Sequence, residues 1–139
     1  MTIHAWYLPA FISLFLYGVW GYWGAKASSL IQPLSTVFYS SLGVLVAGII
    51  ALFLLGFKPE FSTKGSAYGL LNGLANGIGC VFFIMALRKG PAMPVILITS
   101  MYPFITLLFC VLFLKQGITW KQGMGMIFAI MALIFLSLE

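Results

Sequence analysis

The sequence predicts an all-α integral membrane protein that crosses the bilayer five times. Of its 139 residues, 63% are hydrophobic and 6% are charged, and the mean hydropathy is +1.13. Soluble domains carry about 25% charged residues, so lipid must cover most of this surface. Five apolar segments, each close to the roughly 20 residues that span a bilayer core, lie at 6–26, 34–56, 66–87, 92–114 and 119–138.

Short breaks rich in glycine, proline and lysine separate these segments, which form one predicted domain over residues 1–139. Because every connection is short, neighbouring helices should pack antiparallel. The first apolar run is too long for a cleavable signal peptide and has no basic segment before it. We therefore expect it to be a transmembrane helix.

The basic residues lie beside the spans and nearly balance across the membrane. If the N-terminus is cytoplasmic, the inner loops hold Lys58, Lys64, Lys115 and Lys121, and the outer loops hold Lys26, Arg88 and Lys89. Flanking charges of this kind argue against a nucleic-acid partner. Two topologies stay open: a single orientation, weakly N-terminus inside, or insertion both ways (dual topology) to form an antiparallel homodimer.

Catalytic and metal-binding groups are nearly absent from the spans. Glu60 and Glu139 are the only acids, and both lie outside them. Cys80 and Cys110 fall within apolar runs, lack metal spacing and are typical of small core residues. His4 is the only histidine. We expect no enzyme activity, metal or cofactor, and facilitated diffusion or exchange rather than carboxylate-based proton coupling.

The third span carries glycine and asparagine at intervals of four residues. Gly69, Gly73 and Gly77 form a small-residue ridge that would let another helix approach closely. Asn72 and Asn76 repeat on the adjoining edge, where an amide facing lipid would be costly. Both amides should therefore make interhelical hydrogen bonds or line a substrate cavity.

Aromatic residues and one lysine mark the first two spans. Tyr17 shares a helical face with Trp20 but lies mid-span, where its hydroxyl needs a partner or a cavity. Tyr39 in the second span is a similar candidate. Lys26, half a turn from the Tyr17 face, either snorkels to the interface or meets an anionic substrate group. The other aromatics of the first span fit interfacial belts: Trp6, Tyr7, Tyr22 and Trp23.

The fourth span contains three prolines, of which one is unusual. Pro91 and Pro94 fall in the first turn, where a missing N–H costs little. Pro103 lies near the middle, cannot donate to the Thr99 carbonyl and predicts a kink. Hydroxyls lie on or beside its face: Thr99, Ser100, Tyr102 and Thr106. Either these hydroxyls and neighbouring helices repair the kink, or the segment lines a substrate cavity at the bilayer midplane.

The ordered pattern GPA…P…TS.YP…VLFLK…TW.Q..G within residues 85–138 resembles the second part of an EamA-type module of the drug/metabolite transporter superfamily. The stretch LYGVWGYWGAKAS at 16–28 is similar to the family's first helix. The resemblance implies ten helices formed by two inverted five-helix repeats, of which this chain is similar to one. Two copies in opposite orientations would rebuild that form.

Two departures from the resemblance limit what it implies. Many relatives have a glutamate after the FLK at the end of the fourth helix, where this chain has Gln116. The related four-helix small multidrug resistance proteins use a glutamate in their first helix, and no acid lies between Trp6 and Lys26 here. Their proton/drug antiport mechanism is therefore not expected of this chain.

These observations predict a multi-pass protein of the inner (plasma) membrane of a prokaryotic cell that transports a small polar or amphipathic metabolite or drug by alternating access across the dimer. The alternatives are a non-transporting membrane subunit of a larger complex and a flippase for a lipid-linked substrate. Helix movement would involve Pro103 and the glycine ridge. The expected substrate-binding residues are Tyr17, Trp20, Lys26, Tyr39, Asn72, Asn76, Thr99, Ser100 and Tyr102.

Overall fold

The computed structural model describes residues 6–115 and 117–137, and every regular element in these ranges is α-helical, which confirms the predicted all-α class. His4, Gln116 and Glu139 lie outside the described residues. The chain forms two compact units, Met1–Lys89 and Gly90–Glu139. The first contains α1 (Tyr7–Leu30), α2 (Pro33–Leu54) and α3 (Thr63–Lys89), and the second contains α4 (Ala92–Thr99), α5 (Tyr102–Leu114) and α6 (Trp120–Ser137).

Three helical stretches are long and apolar enough to cross a membrane: Pro33–Leu54, Thr63–Lys89 and Ala92–Leu114, the last of which includes α4 and α5. Helix α1 has 24 residues and is long enough, but it is not apolar enough to be counted with these three. The apolar part of α6, Trp120–Leu136, is shorter. A membrane crossing by α1 and α6 therefore stays a prediction.

The core of the first unit lies at one end of its three helices. The buried residues described there belong to the second half of α1, the start of α2 and the end of α3. These parts meet because α1 and α2 are joined by the two residues 31–32 and so run in opposite directions. The buried set is Gly21, Ser28, Thr36, Phe83, Ile84 and Leu87.

Gly24 allows α1 to approach α3 closely. A Cβ atom at this position would lie 3.3 Å from Ile84 Cδ1 and 3.7 Å from Phe83 Cε1. The Trp20 ring stacks on the Phe83 ring with centroids 5.0 Å apart. Near the end of both helices, the Arg88 guanidinium donates a 3.1 Å hydrogen bond to the main-chain carbonyl of residue 28. These contacts fix α1 against α3 beside the core.

The turn after α2 contains two consecutive left-handed residues. Gly56 has φ of 58°, which costs little without a Cβ atom. Phe57 has φ of 60°, which is uncommon for a bulky residue. Its ring contacts Phe53 edge-on, with centroids 4.8 Å apart. This aromatic contact stabilises a turn that the backbone alone would disfavour.

In the second unit, the helix that begins at Ala92 is interrupted at residues 100–101. The Met101 N–H donates to the Ile98 carbonyl, and the Phe104 N–H donates to the Met101 carbonyl. Both bonds span three residues, as in a 3₁₀ turn. Pro103, which has no N–H, lies in the first turn of α5 directly after this interruption. Its position is compatible with a new helix start there.

Helix α6 begins with a capping box. The Thr119 N–H donates to Gln122 Oε1 at 2.9 Å, and the Gln122 N–H donates to Thr119 Oγ1 at 3.4 Å. The two residues thus satisfy two N–H groups that the helix start leaves free. Helix α6 packs against α4 within this unit.

Candidate functional site

A groove of about 270 Å³ lies beside the core of the first unit. Three aromatic rings, those of Trp20, Trp23 and Tyr39, and two hydroxyl residues, Thr36 and Ser40, contribute to its walls. We call this space the aromatic groove. It combines flat apolar surfaces with polar edges, a combination typical of small-molecule sites.

The aromatic groove exists because small residues separate large ones on α1. Gly24 and Ala27 lie on the same helical face as Trp20 and also line the groove. Their lack of long side chains leaves space next to the indole rings. Ile84 of α3 lines the same space and is only 1% exposed, so the wall on this side is firmly packed.

Most polar groups of the groove are not bonded within the chain. The Thr36 hydroxyl donates to the Gln32 carbonyl at 3.4 Å. Among the described residues, no hydrogen bond joins the side chains of Trp20, Trp23, Tyr39 or Ser40 to another group. The neighbouring Ser41 differs, because its hydroxyl donates to the Val37 carbonyl at 2.9 Å. The groove therefore offers unused hydrogen-bonding groups to a ligand.

The groove contains two of the residues predicted to bind substrate, Trp20 and Tyr39. Tyr17 lies elsewhere on α1 and is 66% exposed. Lys26 is also exposed and does not line the groove. It follows Trp20 by six residues, which places it about 120° around the helix.

The amides and the glycine ridge of α3 face open space within the first unit. Asn72 and Asn76 are exposed and make no hydrogen bond to another described residue. A Cβ atom built on any ridge glycine would meet nothing within 4 Å. The ridge consists of Gly69, Gly73 and Gly77, none of which contacts another helix in this way. Within the first unit, nothing covers these five residues, so their predicted roles stay predictions.

The hydroxyls of the second unit bond to their own helix. Thr99 Oγ1 lies 2.9 Å from the Val95 carbonyl and 3.0 Å from the Ile96 carbonyl. Ser100 Oγ donates to the Ile96 carbonyl at 2.7 Å. Such bonds to carbonyls three or four residues earlier bend helices. Tyr102 is 62% exposed, and the substrate roles of these three residues stay predictions.

A larger groove of about 390 Å³ lies between α5 and α6 in the second unit. Its lining is mainly apolar, and the amide oxygen of Gln122 is occupied by the capping box of α6. None of the predicted substrate-binding residues lines it. The lining of the aromatic groove is also mainly apolar, but it includes two of the predicted residues, Trp20 and Tyr39.

Three aromatic or hydroxyl residues that line the aromatic groove were not among the predicted site residues. Trp23 fitted the interfacial belt by its position near the end of the span, and Thr36 and Ser40 were not singled out. One signal for the latter pair is present in the sequence. Thr36 lies three residues before Tyr39 and four before Ser40, which makes it a neighbour of both on the surface of α2.

Long apolar helices that hold polar and aromatic groups define an α-helical integral membrane protein. The profile of the EamA-like transporter family matches residues 4–138, and the chain belongs to this family. This confirms the resemblance noted in its motifs. An uncharacterized protein of Methanocaldococcus jannaschii is 33% identical over 100 residues, which cover 69% of this chain and 73% of that protein. No solved structure matches the chain at a significant level.

Proposed function

We propose that the chain transports a small polar or amphipathic metabolite or drug by alternating access, with two copies in opposite orientations forming the transport path. Membership of a transporter family supports the transport class. The aromatic groove supports a small ligand, because it offers flat rings and unbonded polar groups together. The inner membrane of a prokaryotic cell is the location that we propose.

The exposure of two amides on α3 is the observation that best supports a second copy in the transport path. Asn72 and Asn76 lie within the 27-residue helix Thr63–Lys89, which is apolar enough to cross a membrane. An unbonded amide in hydrocarbon costs several kcal/mol. Protein or water must therefore cover this face in the membrane. A second copy provides both, since its helices would pack on the ridge and enclose an aqueous path.

The charge balance supports opposite orientations. Four basic residues flank the spans on one side and three on the other, so the positive-inside rule gives neither orientation a clear advantage. A tag at the C-terminus tests this directly. We expect membrane-impermeant reagent to label part of the tag from each side of the membrane, whereas labelling from one side alone would exclude dual insertion.

Energy coupling by a buried carboxylate does not fit this chain. Among the described residues, Glu60 is the only acid, and it lies in the turn between α2 and α3. We therefore propose facilitated diffusion or exchange. Proton-driven uptake would contradict this mechanism if no replacement of one Tyr, one Lys or His4 abolished it.

The decisive experiment is solute flux into liposomes that contain only this purified protein. Flux would exclude a non-transporting subunit as the main function. Replacement of Asn72 or Asn76 by Leu should reduce flux while the helical content stays constant. Leu70→Ala, at an exposed position of the same helix, is the control that should leave flux unchanged. Movement of lipid-linked substrates in preference to soluble ones would favour a flippase.

A further inference from the structure

We propose that the aromatic groove selects its ligand by charge: it accepts an uncharged or anionic head group with hydrogen-bond acceptors on a small aromatic body, and it rejects organic cations. This inference rests on the proposed transport function and names the substrate class of that function. It follows from the donors in the groove, the positions of the charges and the space available.

Four side chains that line the groove carry hydrogen-bond donors. The indole N–H groups of Trp20 and Trp23 can donate but cannot accept, and the hydroxyls of Tyr39 and Ser40 can do both. None of these four groups is bonded to another described residue. The oxygens of an amide, a carboxylate or a hydroxyl can accept from them. A protonated amine only donates, so it leaves both indole N–H groups unsatisfied.

Among residues 6–115 and 117–137, no acid is placed to neutralise a cation in the groove. Glu60 follows the C-terminal end of α2, whereas Thr36, Tyr39 and Ser40 belong to its first two turns. The nearest charge along α3 is positive, because Arg88 lies one turn after Ile84, which lines the groove. A cation in the groove would thus lose water without gaining a counter-charge.

Two features of the groove attract cations, and both are weakened. The aromatic rings could bind a cation through their faces, but one face of Trp20 is occupied by the stacked ring of Phe83. The carbonyl end of α1 is also negative, but Arg88 donates a hydrogen bond to the carbonyl of Ser28 there. A cation in the groove would therefore have the ring faces of Trp23 and Tyr39 as partners but no counter-charge.

The size of the groove limits the ligand to a small molecule. Its volume of about 270 Å³ lies just below the roughly 300–1,000 Å³ of most ligand pockets. One aromatic ring with a short chain matches this space and can stack on Trp23 or Tyr39. A head group at the end of the chain can then reach the unbonded donors.

Three molecules with the same ring and chain provide the test: phenylpropanamide, phenylpropionate and phenylpropylamine. Calorimetric titration of the protein in lipid nanodiscs should show the amide and the carboxylate binding at least about tenfold more tightly than the amine. Tyr39→Phe and Ser40→Ala should each weaken amide binding several-fold. The matched controls Tyr22→Phe and Ser41→Ala, which change residues outside the groove, should not.

Flux of the same three molecules into proteoliposomes separates this inference from the proposed transport function. Selective binding without flux would support the groove chemistry and reject transport. Flux of all three at equal rates would support transport and overturn the charge selection. Equal or tighter binding of the amine, or no binding of any molecule to helical protein, would also overturn the inference.

Discussion

The glycine ridge of α3 gives a prediction in which stability and association change in opposite directions. The perturbation is the triple change Gly69→Ala, Gly73→Ala and Gly77→Ala. Within one chain, a Cβ atom at each position would meet nothing within 4 Å. The added methyl groups therefore find room in the single chain, but they would separate two backbones that pack on the ridge.

The expected magnitudes follow from this geometry. Glycine inside a helix is less stable than alanine by about 0.5–1 kcal/mol, so three changes should raise the free energy of unfolding of one chain by about 1.5–3 kcal/mol. If a second copy packs on the ridge, overpacking should cost about 1–3 kcal/mol. That cost weakens association by roughly 5- to 150-fold.

Denaturant titration followed by circular dichroism measures the unfolding of the chain, and fluorescence energy transfer between labelled copies in bilayers measures association. Gly48→Ala on α2 is the control, because a Cβ there also meets nothing within 4 Å. It should stabilise the chain and leave association unchanged. Unchanged association of the triple variant would refute a ridge interface. Loss of its fold would show that the ridge packs inside the chain.

Three further changes test local features by thermal or chemical unfolding. Gly24→Leu should destabilise the first unit by about 1–3 kcal/mol, since even a Cβ would lie 3.3 Å from Ile84; Gly18→Ala, with nothing within 4 Å, should be neutral or stabilising. Thr119→Ala should cost about 0.5–2 kcal/mol by removing the cap of α6, and no change would show that the cap contributes nothing. Arg88→Gln should cost about 1 kcal/mol through the lost hydrogen bond to the end of α1, whereas Lys89→Gln should have little effect.

The helices were predictable because apolar runs and helix-ending residues such as proline act through residues that are near in sequence. Pro33 explains where α1 ends, since the residue before a proline prefers an extended backbone, and Gln32 has ψ of 146°. The helix nevertheless continues to Leu30, beyond the apolar segment that ended at residue 26. The polar residues in between allow helix formation, so hydropathy alone marks the end of a span but not of its helix.

The candidate site was predictable only in part, because spacing shows which residues share a face but not what that face meets. Trp20 and Tyr39 were identified from their aromatic and hydroxyl groups, and both line the aromatic groove. Trp23 also lines it, although its position at the end of the span favoured an interfacial role. Trp23 lines the groove because α1 approaches α3 closely at Gly24. This approach depends on contacts between residues that are far apart in sequence.

The most direct test of two oppositely oriented copies is capture of a mixed pair. One variant, Glu60→Lys with Lys89→Gln, shifts the basic residues to five against two for an N-terminus inside, from four against three in the native chain. The other, Lys58→Gln and Lys64→Gln with Gln32→Lys, shifts them to two against four and favours the reverse orientation. With a different tag on each variant, we expect that pairs captured through one tag carry the other, and that neither variant pairs with itself. Equal capture of like pairs would contradict a dimer of two oppositely oriented copies.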